Sequence, residues 1–201
     1  MLILLLFNGV SMEKITFGKN GLMFPMSLGL VGVNVTDNQP NFTTVSSIAT
    51  VSLDPPMISF SLNKVRFSNK FIMEKKTFSL NFPSANLVNK VDYCGLVSGE
   101  NVDKSNLFQV FYGKLQDAPM IKECPLCIEC RLTAVIDLPK NELFIGQIIN
   151  AYSEQKYLTN GKLDTTKLNL CTVNFADSSY RIPGTIAGKA FCDGAKHAPL
   201  A

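Results

Sequence analysis

The stretch that decides the fold is Asn41-Phe-Thr-Thr-Val-Ser-Ser-Ile-Ala-Thr-Val-Ser-Leu-Asp-Pro-Pro-Met-Ile-Ser-Phe-Ser-Leu-Asn-Lys-Val-Arg-Phe-Ser-Asn-Lys70. It opens with a hydroxyl-rich run and passes through Asp54-Pro55-Pro56 into a second polar segment. Ile58, Phe60 and Leu62 alternate with serines, which is typical of a strand with one buried face. Because proline cannot donate a ladder hydrogen bond, the two prolines end one strand before the next begins.

The end of this stretch is predicted to begin a helix. Ser68 is a good N-cap residue, and Phe67 and Ile72 have the spacing of a hydrophobic staple around it. Three cations surround this helix start: Lys64, Arg66 and Lys70. Free backbone N–H groups, a hydroxyl and nearby cations together form an anion site, so we interpret the segment as a phosphate site. A solvated basic turn is the alternative that the residues alone leave open.

The rest of the chain predicts a mainly β domain. Strands are predicted as a pair within residues 15–36 and then at 45–52, 57–62, 78–82, 128–138 and 142–152. Short helices are predicted at 69–75, after Ser84 as far as Gly95, and after Asp103. About seven strands with two or three short helices between them favour a closed or nearly closed antiparallel barrel.

Length and charge narrow the class of protein. The 201 residues are 46% hydrophobic and 17% charged, which fits one globular domain with a sizeable core. The net charge of +3 is not concentrated in any run of Lys or Arg, so no nucleic-acid partner is expected. Six cysteines without a usable secretory signal indicate a reducing, cytoplasmic compartment.

We interpret residues 1–11 as a leader of doubtful status and residues 12–201 as the single domain. The apolar run from Leu2 to Phe7 is too short for a secretory signal or a membrane span, and Met12 is an alternative start. A weak interfacial anchor is the alternative for this leader, and no membrane partner is expected for the domain.

The segment Cys124-Pro-Leu-Cys127-Ile-Glu-Cys130 has a spacing that is typical of iron–sulfur or zinc ligands. A fourth ligand would have to come from Cys94, Cys171 or Cys192. However, Cys130 continues directly into an apolar strand, and loops that bind clusters usually need a freer backbone. No metal site is therefore predicted.

No catalytic residue is predicted from the side chains. His197 is the only histidine and lies near the end of the chain, and the acidic residues form no evident catalytic pair. Neither a strand-linked Gly-x-Gly-x-x-Gly motif nor a Walker loop occurs. If the chain is an enzyme, a cofactor is expected to supply its chemistry.

Taken in order, these motifs resemble the flavin reductase-like FMN-binding split barrels, and most closely the flavoredoxin branch. The similarity rests on Asn41-Phe-Thr-Thr-Val-Ser46, Ser52-Leu-Asp-Pro-Pro56, residues 61–68, Phe78-Ser-Leu-Asn-Phe-Pro83, residues 92–104, Ala118-Pro119, Ile128-Glu-Cys-Arg131 and Phe144-Ile-Gly-Gln147. It extends from about residue 14 to about residue 190. The order and spacing of the motifs are specific, although no single motif is decisive.

The resemblance implies an antiparallel split β-barrel of six strands with a few short helices, forming a homodimer with FMN at the subunit interface. It also implies which residues bind the cofactor. They are Asn41, Thr43, Thr44, Val45 and Ser46 beside the ring, Ser61, Asn63, Lys64, Arg66 and Ser68 around the ribityl phosphate, and Asp92 and Lys104 in a loop near the flavin.

The function that follows from the resemblance is an FMN-dependent oxidoreductase that passes electrons through bound FMN. NAD(P)H is a candidate electron donor, but the sequence shows no histidine placed to guide a nicotinamide. Two alternatives stay open. One is a non-catalytic module that binds FMN or another phosphate ligand, and the other is a redox protein that uses the region from Cys124 to Cys130.

Overall fold

The computed structural model describes residues 6–7, 10–11, 14–16, 18–19 and 24–196. Its main sheet contains seven antiparallel strands: β1 (Gly29–Asn34), β2 (Pro40–Val45), β3 (Ile48–Leu53), β4 (Pro56–Asn63), β5 (Thr77–Phe82), β6 (Leu126–Asp137) and β7 (Asn141–Tyr152). The α-helices of this part of the chain are α1 (Ser68–Lys75), α2 (Val88–Leu96) and α3 (Thr165–Leu168). Short strands form smaller sheets at Leu6–Phe7 with Val10–Ser11, Val110–Phe111 with Met120–Ile121, Leu158–Thr159 with Lys162–Leu163, and Met26–Ser27 with Thr172–Asn174 and Ser179–Arg181.

The order of the strands requires the main sheet to curl into a barrel. Across the sheet the order is β2-β1-β5-β6-β7-β4-β3, so β2 and β3 are its opposite edges. Only Ser46 and Ser47 separate these two strands along the chain. A connection of this length spans at most about 11 Å, so the two edges must lie close together. Ser47 Oγ fastens this corner, since it donates to the Ser61 carbonyl at 2.9 Å and accepts from the Ser61 N–H at 3.0 Å.

This corner differs from the predicted continuous strand over 45–52. Val45 ends β2, and β3 begins at Ile48 on the other edge of the sheet. The run gives no sign of the change because residues of high strand propensity stand on both sides of the corner. The resemblance implies six strands, whereas the main sheet has seven. The predicted fold class, a mainly β antiparallel split barrel with a few short helices, is confirmed.

The core divides into two clusters. In the first, Phe60 stacks on Phe144 with ring centroids 5.2 Å apart, and it meets the edge of Phe78 at 5.0 Å. The second cluster packs α2 and the loops near it against β1 and β2, and it contains Leu30. Because Leu30 and Val31 are successive residues of β1 and belong to different clusters, the clusters lie on opposite faces of the sheet. Helix α2 and the loops near it therefore cover the outer face of the barrel, whereas α1 contributes Phe71 and Ile72 to the first cluster.

The start of α1 differs from the prediction. Phe67 occupies the N-cap position with helical dihedral angles and makes no side-chain cap, so Ser68 is the first helical residue. The Arg66 N–H donates to the Asn63 carbonyl at 2.9 Å, and this turn leads directly into the helix without an extended residue before it. The predicted staple is also wrong in position, because the Phe67 ring packs on Phe71 with centroids 4.9 Å apart.

The two other predicted helix starts also change. Ser84 precedes a 3₁₀ turn over Ala85–Leu87 without capping it through its side chain, and α2 then continues past Gly95 to Leu96. No helix follows Asp103 in the described chain. Its carboxylate instead accepts from the Ser105 N–H at 2.8 Å, which closes a local turn. Such a turn satisfies the same side chain that would cap a helix.

Two predictions fall wholly or partly beyond the described residues. Of the leader, only Leu6–Phe7 and Val10–Ser11 are described, as a short antiparallel pair. The remainder of residues 1–11 and His197 lie outside. In the part of the chain that the structure describes, none of the helices combines the length and the apolar character needed to span a membrane.

Candidate functional site

A cavity of about 180 Å³ opens between the start of α1, the end of α2 and strand β2. Five of the twelve predicted site residues line it: Asn41, Thr43, Arg66, Ser68 and Lys104. The other lining residues are Val65, Phe67, Leu96, Val97, Ser98 and Gly99. The barrel therefore brings together residues that lie more than sixty positions apart in the chain.

Two cations face this cavity without an acidic partner. Lys104 is only 4% exposed, and its Nζ donates to the carbonyls of Phe42 at 2.9 Å and Cys94 at 3.2 Å. Arg66 Nη1 donates to the Gly95 carbonyl at 2.9 Å. None of the ion pairs found among the described residues involves either cation. Carbonyl dipoles alone hold the two charges, so an anion entering the cavity would find both uncompensated.

The pKa of Lys104 is lowered by its position in this cavity. Burial lowers the pKa of its ammonium group, the neighbouring Cys94 thiol opposes that effect, and the nearby Arg66 guanidinium lowers the pKa further. Removal from water and a like charge both disfavour the protonated form. A bound anion would act in the opposite direction, because it favours the charged ammonium.

A buried acceptor also points to a ligand. Asn41 Nδ2 donates to Ser68 Oγ at 2.9 Å, whereas Asn41 Oδ1 is buried without a hydrogen-bond partner. Leaving such an atom unpaired costs about 1–3 kcal/mol. A Cβ on Gly99 would lie 2.2 Å from this oxygen, so only glycine allows the loop after α2 to approach so closely. Asn41 therefore lines the cavity and carries an acceptor that no described residue satisfies.

The mouth of the cavity carries apolar side chains that no sequence pattern predicts. Val65 is 86% exposed and Leu96 is 76% exposed. Neither belongs to a periodic pattern, so nothing in the sequence separates them from ordinary surface residues. For Ser98 and Gly99 the sequence indicates only a break in the chain, which gives no sign that their backbone lines a site.

Three predicted residues on β2 and its corner lie outside the lining of this cavity. Thr44 Oγ1 donates to the Val91 carbonyl and fastens α2 to β2. Val45 is buried in the first core cluster, and Ser46 lies half-buried at the corner. None of the three lines the cavity.

Four further predicted residues are also placed elsewhere. Ser61 Oγ accepts from Asn141 Nδ2 at 2.9 Å, and Asn63 Oδ1 accepts from the Val65 N–H at 3.2 Å. Lys64 forms an ion pair with Asp137. Asp92 accepts from the Tyr180 hydroxyl at 2.6 Å. The structure does not bring these four side chains to the cavity, because each is turned toward another partner.

The three thiols of the cysteine motif do not meet at one site. Cys127 belongs to the second core cluster and Cys130 to the first, so the two side chains lie on opposite faces of β6. Within the described residues, no group of three or more His, Cys, Asp or Glu side chains could hold a metal. Burial raises the pKa of the Cys127 thiol to about 12 and also raises that of Cys130. These thiols are therefore neutral near pH 7, which makes them poor nucleophiles.

Comparison with known proteins agrees with this fold. The family model of the flavin reductase like domain matches residues 21–180. Since the match covers most of the chain, the chain belongs to the flavin reductase-like domain family. The resemblance predicted from the motifs is thereby confirmed.

Solved structures place the chain within the family more closely. The flavoredoxin from Methanosarcina acetivorans is 43% identical, with a TM-score of 0.89 over 93% of this chain and 100% of that chain. The flavoredoxin of Desulfovibrio vulgaris (Miyazaki F) is 31% identical, with a TM-score of 0.84 over 90% of this chain and 100% of that one. These similarities support the flavoredoxin branch. An uncharacterized protein of Archaeoglobus fulgidus is 25% identical over 64% of this chain and 72% of its own length.

Proposed function

We propose that this chain binds FMN and acts as an oxidoreductase that passes electrons through the bound flavin. The observation that carries the proposal is the pair of Arg66 and Lys104, which face one cavity without an acidic partner among the described residues. A phosphate matches this pair, because a guanidinium binds its oxygens in a fixed fork and an ammonium adds a point charge. When bound, the flavin supplies the redox chemistry, and the protein binds and orients it.

The remaining features of the cavity fit the same cofactor. The ribityl hydroxyls and the ring N–H of FMN are donors, and one donor can satisfy the unpaired Asn41 Oδ1. Gly99 leaves room beside that oxygen, which any larger residue would fill. Ser68 adds a hydroxyl at the first turn of α1, where the helix N-terminus favours an anion.

Arg66→Ala should weaken FMN binding by about 1–3 kcal/mol, because it removes a charged hydrogen-bond donor from the phosphate. Lys64→Ala is the matched control. Lys64 is exposed and paired with Asp137, so its loss should change FMN affinity by less than about 0.5 kcal/mol. Titration of the two variants and the wild type, followed by the flavin absorption band, measures both effects. Equal losses would return Lys64 to the site, and a wild type that binds no FMN would overturn the proposal.

The pH dependence of binding should report the lowered pKa of Lys104. As pH rises through that pKa, Lys104 loses its proton and the phosphate loses a partner, so FMN affinity should fall at a lower pH than the usual lysine value of about 10.4. Riboflavin lacks the phosphate, and the ratio of FMN to riboflavin affinity cancels ionisation of the ring itself. This ratio should fall with pH in the wild type.

Two variants separate this effect from other titrations. Lys104→Met should lower the ratio at neutral pH and make it constant at higher pH, where the phosphate is already doubly ionised. Lys104→Arg should keep the ratio high across the same range, because a guanidinium retains its charge. A wild-type ratio that stays constant to pH values above the ordinary lysine pKa would exclude a contact between Lys104 and the phosphate.

Electron transfer is tested on the FMN-loaded protein without oxygen. We expect NADH or NADPH to bleach the flavin band faster than the same nucleotide bleaches free FMN. Equal rates would favour the alternative of a non-catalytic FMN module. If the band is bleached, steady-state kinetics distinguish a carrier that retains FMN, which gives a ping-pong pattern, from a reductase that exchanges flavin and gives a sequential pattern.

We also propose that a second copy of the chain completes the site, forming a homodimer with FMN at the interface. The cavity of about 180 Å³ is smaller than the roughly 300–1,000 Å³ of sites that enclose a drug-sized ligand, so it accommodates only part of FMN. Val65 and Leu96 expose apolar surface at its mouth. The end of the β6–β7 hairpin exposes further apolar side chains at Val135, Ile136 and Leu138. Such surface is typical of an interface between subunits.

Ile136→Asp should convert the dimer to a monomer, because it places a charge in the apolar contact. Leu163→Asp is the control, since Leu163 is 44% exposed and Ile136 is 46% exposed, and it lies in a separate small hairpin. Light scattering of the FMN-loaded proteins measures the mass. A monomeric wild type at saturating FMN, or equal dissociation of both variants, would contradict this interface.

The free state of the cysteine thiols is consistent with the expected cytoplasmic compartment. All six cysteines are free, and five of them are buried. Free thiols persist where the environment is reducing, so this observation supports the proposed cytoplasmic location.

A further inference from the structure

A second, larger cavity of about 420 Å³ shares no residue with the first. It is lined by Phe111, Lys122, Cys124, Cys127, Tyr152, Ser153 and Glu154. Its volume lies within the range of about 300–1,000 Å³ that is usual for small-molecule sites. None of its residues is used by the function proposed above.

Two aromatic rings form a fixed wall of this cavity. Phe111 lies in the short ladder of Val110–Phe111 with Met120–Ile121, and its ring meets Tyr152 edge to face with centroids 5.7 Å apart. The Tyr152 hydroxyl donates to Glu129 Oε1 at 2.6 Å. Glu129 is fully buried and also accepts from the backbone N–H groups of Lys114 and Leu115. The tyrosine is therefore held in place before any ligand arrives, which lowers the entropic cost of binding.

The adjoining wall consists of neutral thiols. Cys127 Sγ donates to the Ile121 carbonyl at 3.2 Å, and Cys124 is likewise buried. Burial raises the pKa of Cys127 to about 12 and raises that of Cys124 as well. In this state the thiols behave as small, polarizable apolar groups that pack well against aromatic rings.

The two charged residues that line this cavity, Glu154 and Lys122, differ in their ion-pair partners. Glu154 forms an exposed ion pair with Lys156 at 2.8 Å. Lys122 is exposed, and its ammonium forms no ion pair with any residue in the described part of the chain. Ser153 Oγ donates to the Pro125 carbonyl at 2.7 Å. Among the residues that line the cavity, Lys122 is thus the one cation, and its ammonium lies beside an aromatic and thiol interior without an ion-pair partner in the described chain.

We propose that this cavity binds a small aromatic carboxylate. Its ring packs against Phe111, Tyr152 and the thiols, and its carboxylate pairs with the Lys122 ammonium. Ring stacking supplies most of the affinity, and the single cation selects for an anion over a neutral molecule of the same shape.

Calorimetric titration of 2-naphthoate into protein saturated with FMN tests the proposal, because FMN then occupies the first cavity. The wild type should bind 2-naphthoate at one site and bind the neutral 2-naphthamide about five-fold more weakly or worse. Lys122→Met should abolish that preference, while Lys162→Met, which changes an exposed lysine in another hairpin, should keep it. No binding by the wild type, or the same preference in both variants, would overturn the proposal.

A second variant tests whether the naphthyl ring binds inside this cavity. Cys124→Phe fills the cavity and should weaken both naphthyl compounds at least ten-fold, with FMN affinity unchanged. Cys192→Phe is the matched control, because Cys192 is exposed and lies outside the cavity. If Cys124→Phe binds both compounds as the wild type does, the ring binds elsewhere and the proposal is wrong. If Cys124→Phe does not fold, the Lys122→Met comparison alone decides, since Lys122 is exposed and surface substitutions usually leave stability nearly unchanged.

Discussion

The connection of two residues between β2 and β3 is the constraint on which the rest of the structure depends. It joins opposite edges of a seven-stranded sheet, and the sheet can satisfy it only by curling on itself. The two hydrogen bonds between Ser47 and Ser61 hold the edges together at this point. Closure brings β2 beside the end of β4, and α1 follows β4 after a single turn. The first cavity is thus a product of barrel closure, because its walls come from β2 and the start of α1.

Lys104 links packing and charge at this cavity. Its ammonium donates to a carbonyl of β2 and to one of α2, so it holds the helix against the strand. A lysine in this position costs stability, because burial and the neighbouring Arg66 both disfavour its charge. An apolar residue could fill the same space without that cost. A buried cation at this position therefore supports the proposed anion site, because packing alone does not require a charge here.

Strands with one buried face can be predicted from the sequence. The alternation in β4 and β5 and the long pairing of β6 with β7 gave correct strands, because period two survives wherever one face meets the core. The corner at Ser46 and Ser47 cannot be predicted in this way. One strand ends there and the next begins at the opposite edge of the sheet, but the local composition stays the same. The predicted helix N-caps are wrong for a related reason. A Ser or Asp side chain can satisfy a turn or a neighbouring side chain as well as a helix end.

The lining of the first cavity is predicted in part for the same physical reasons. The sequence predicts Arg66 and Ser68, which line this cavity, because a cation and a hydroxyl occur near a predicted helix start. Lys64 fits that pattern equally well, but its direction is set by Asp137, which lies 73 positions away in the chain. Asp92 is held by Tyr180 across a separation of 88 positions. Contacts of such range arise only from the completed fold, so local patterns find the segment that forms a site more reliably than the side chains that face it.

The cysteine segment shows how the period of a strand decides what a motif can do. Spacing alone groups Cys124, Cys127 and Cys130 as ligands. Once the segment forms β6, successive side chains alternate between faces, and Cys130 turns into the barrel core while Cys127 faces the other cluster. Cys124 and Cys127 remain together beside two aromatic rings, where low polarity keeps both thiols protonated. The same burial that removes these sulfurs from metal chemistry therefore makes them a wall suited to an aromatic ligand.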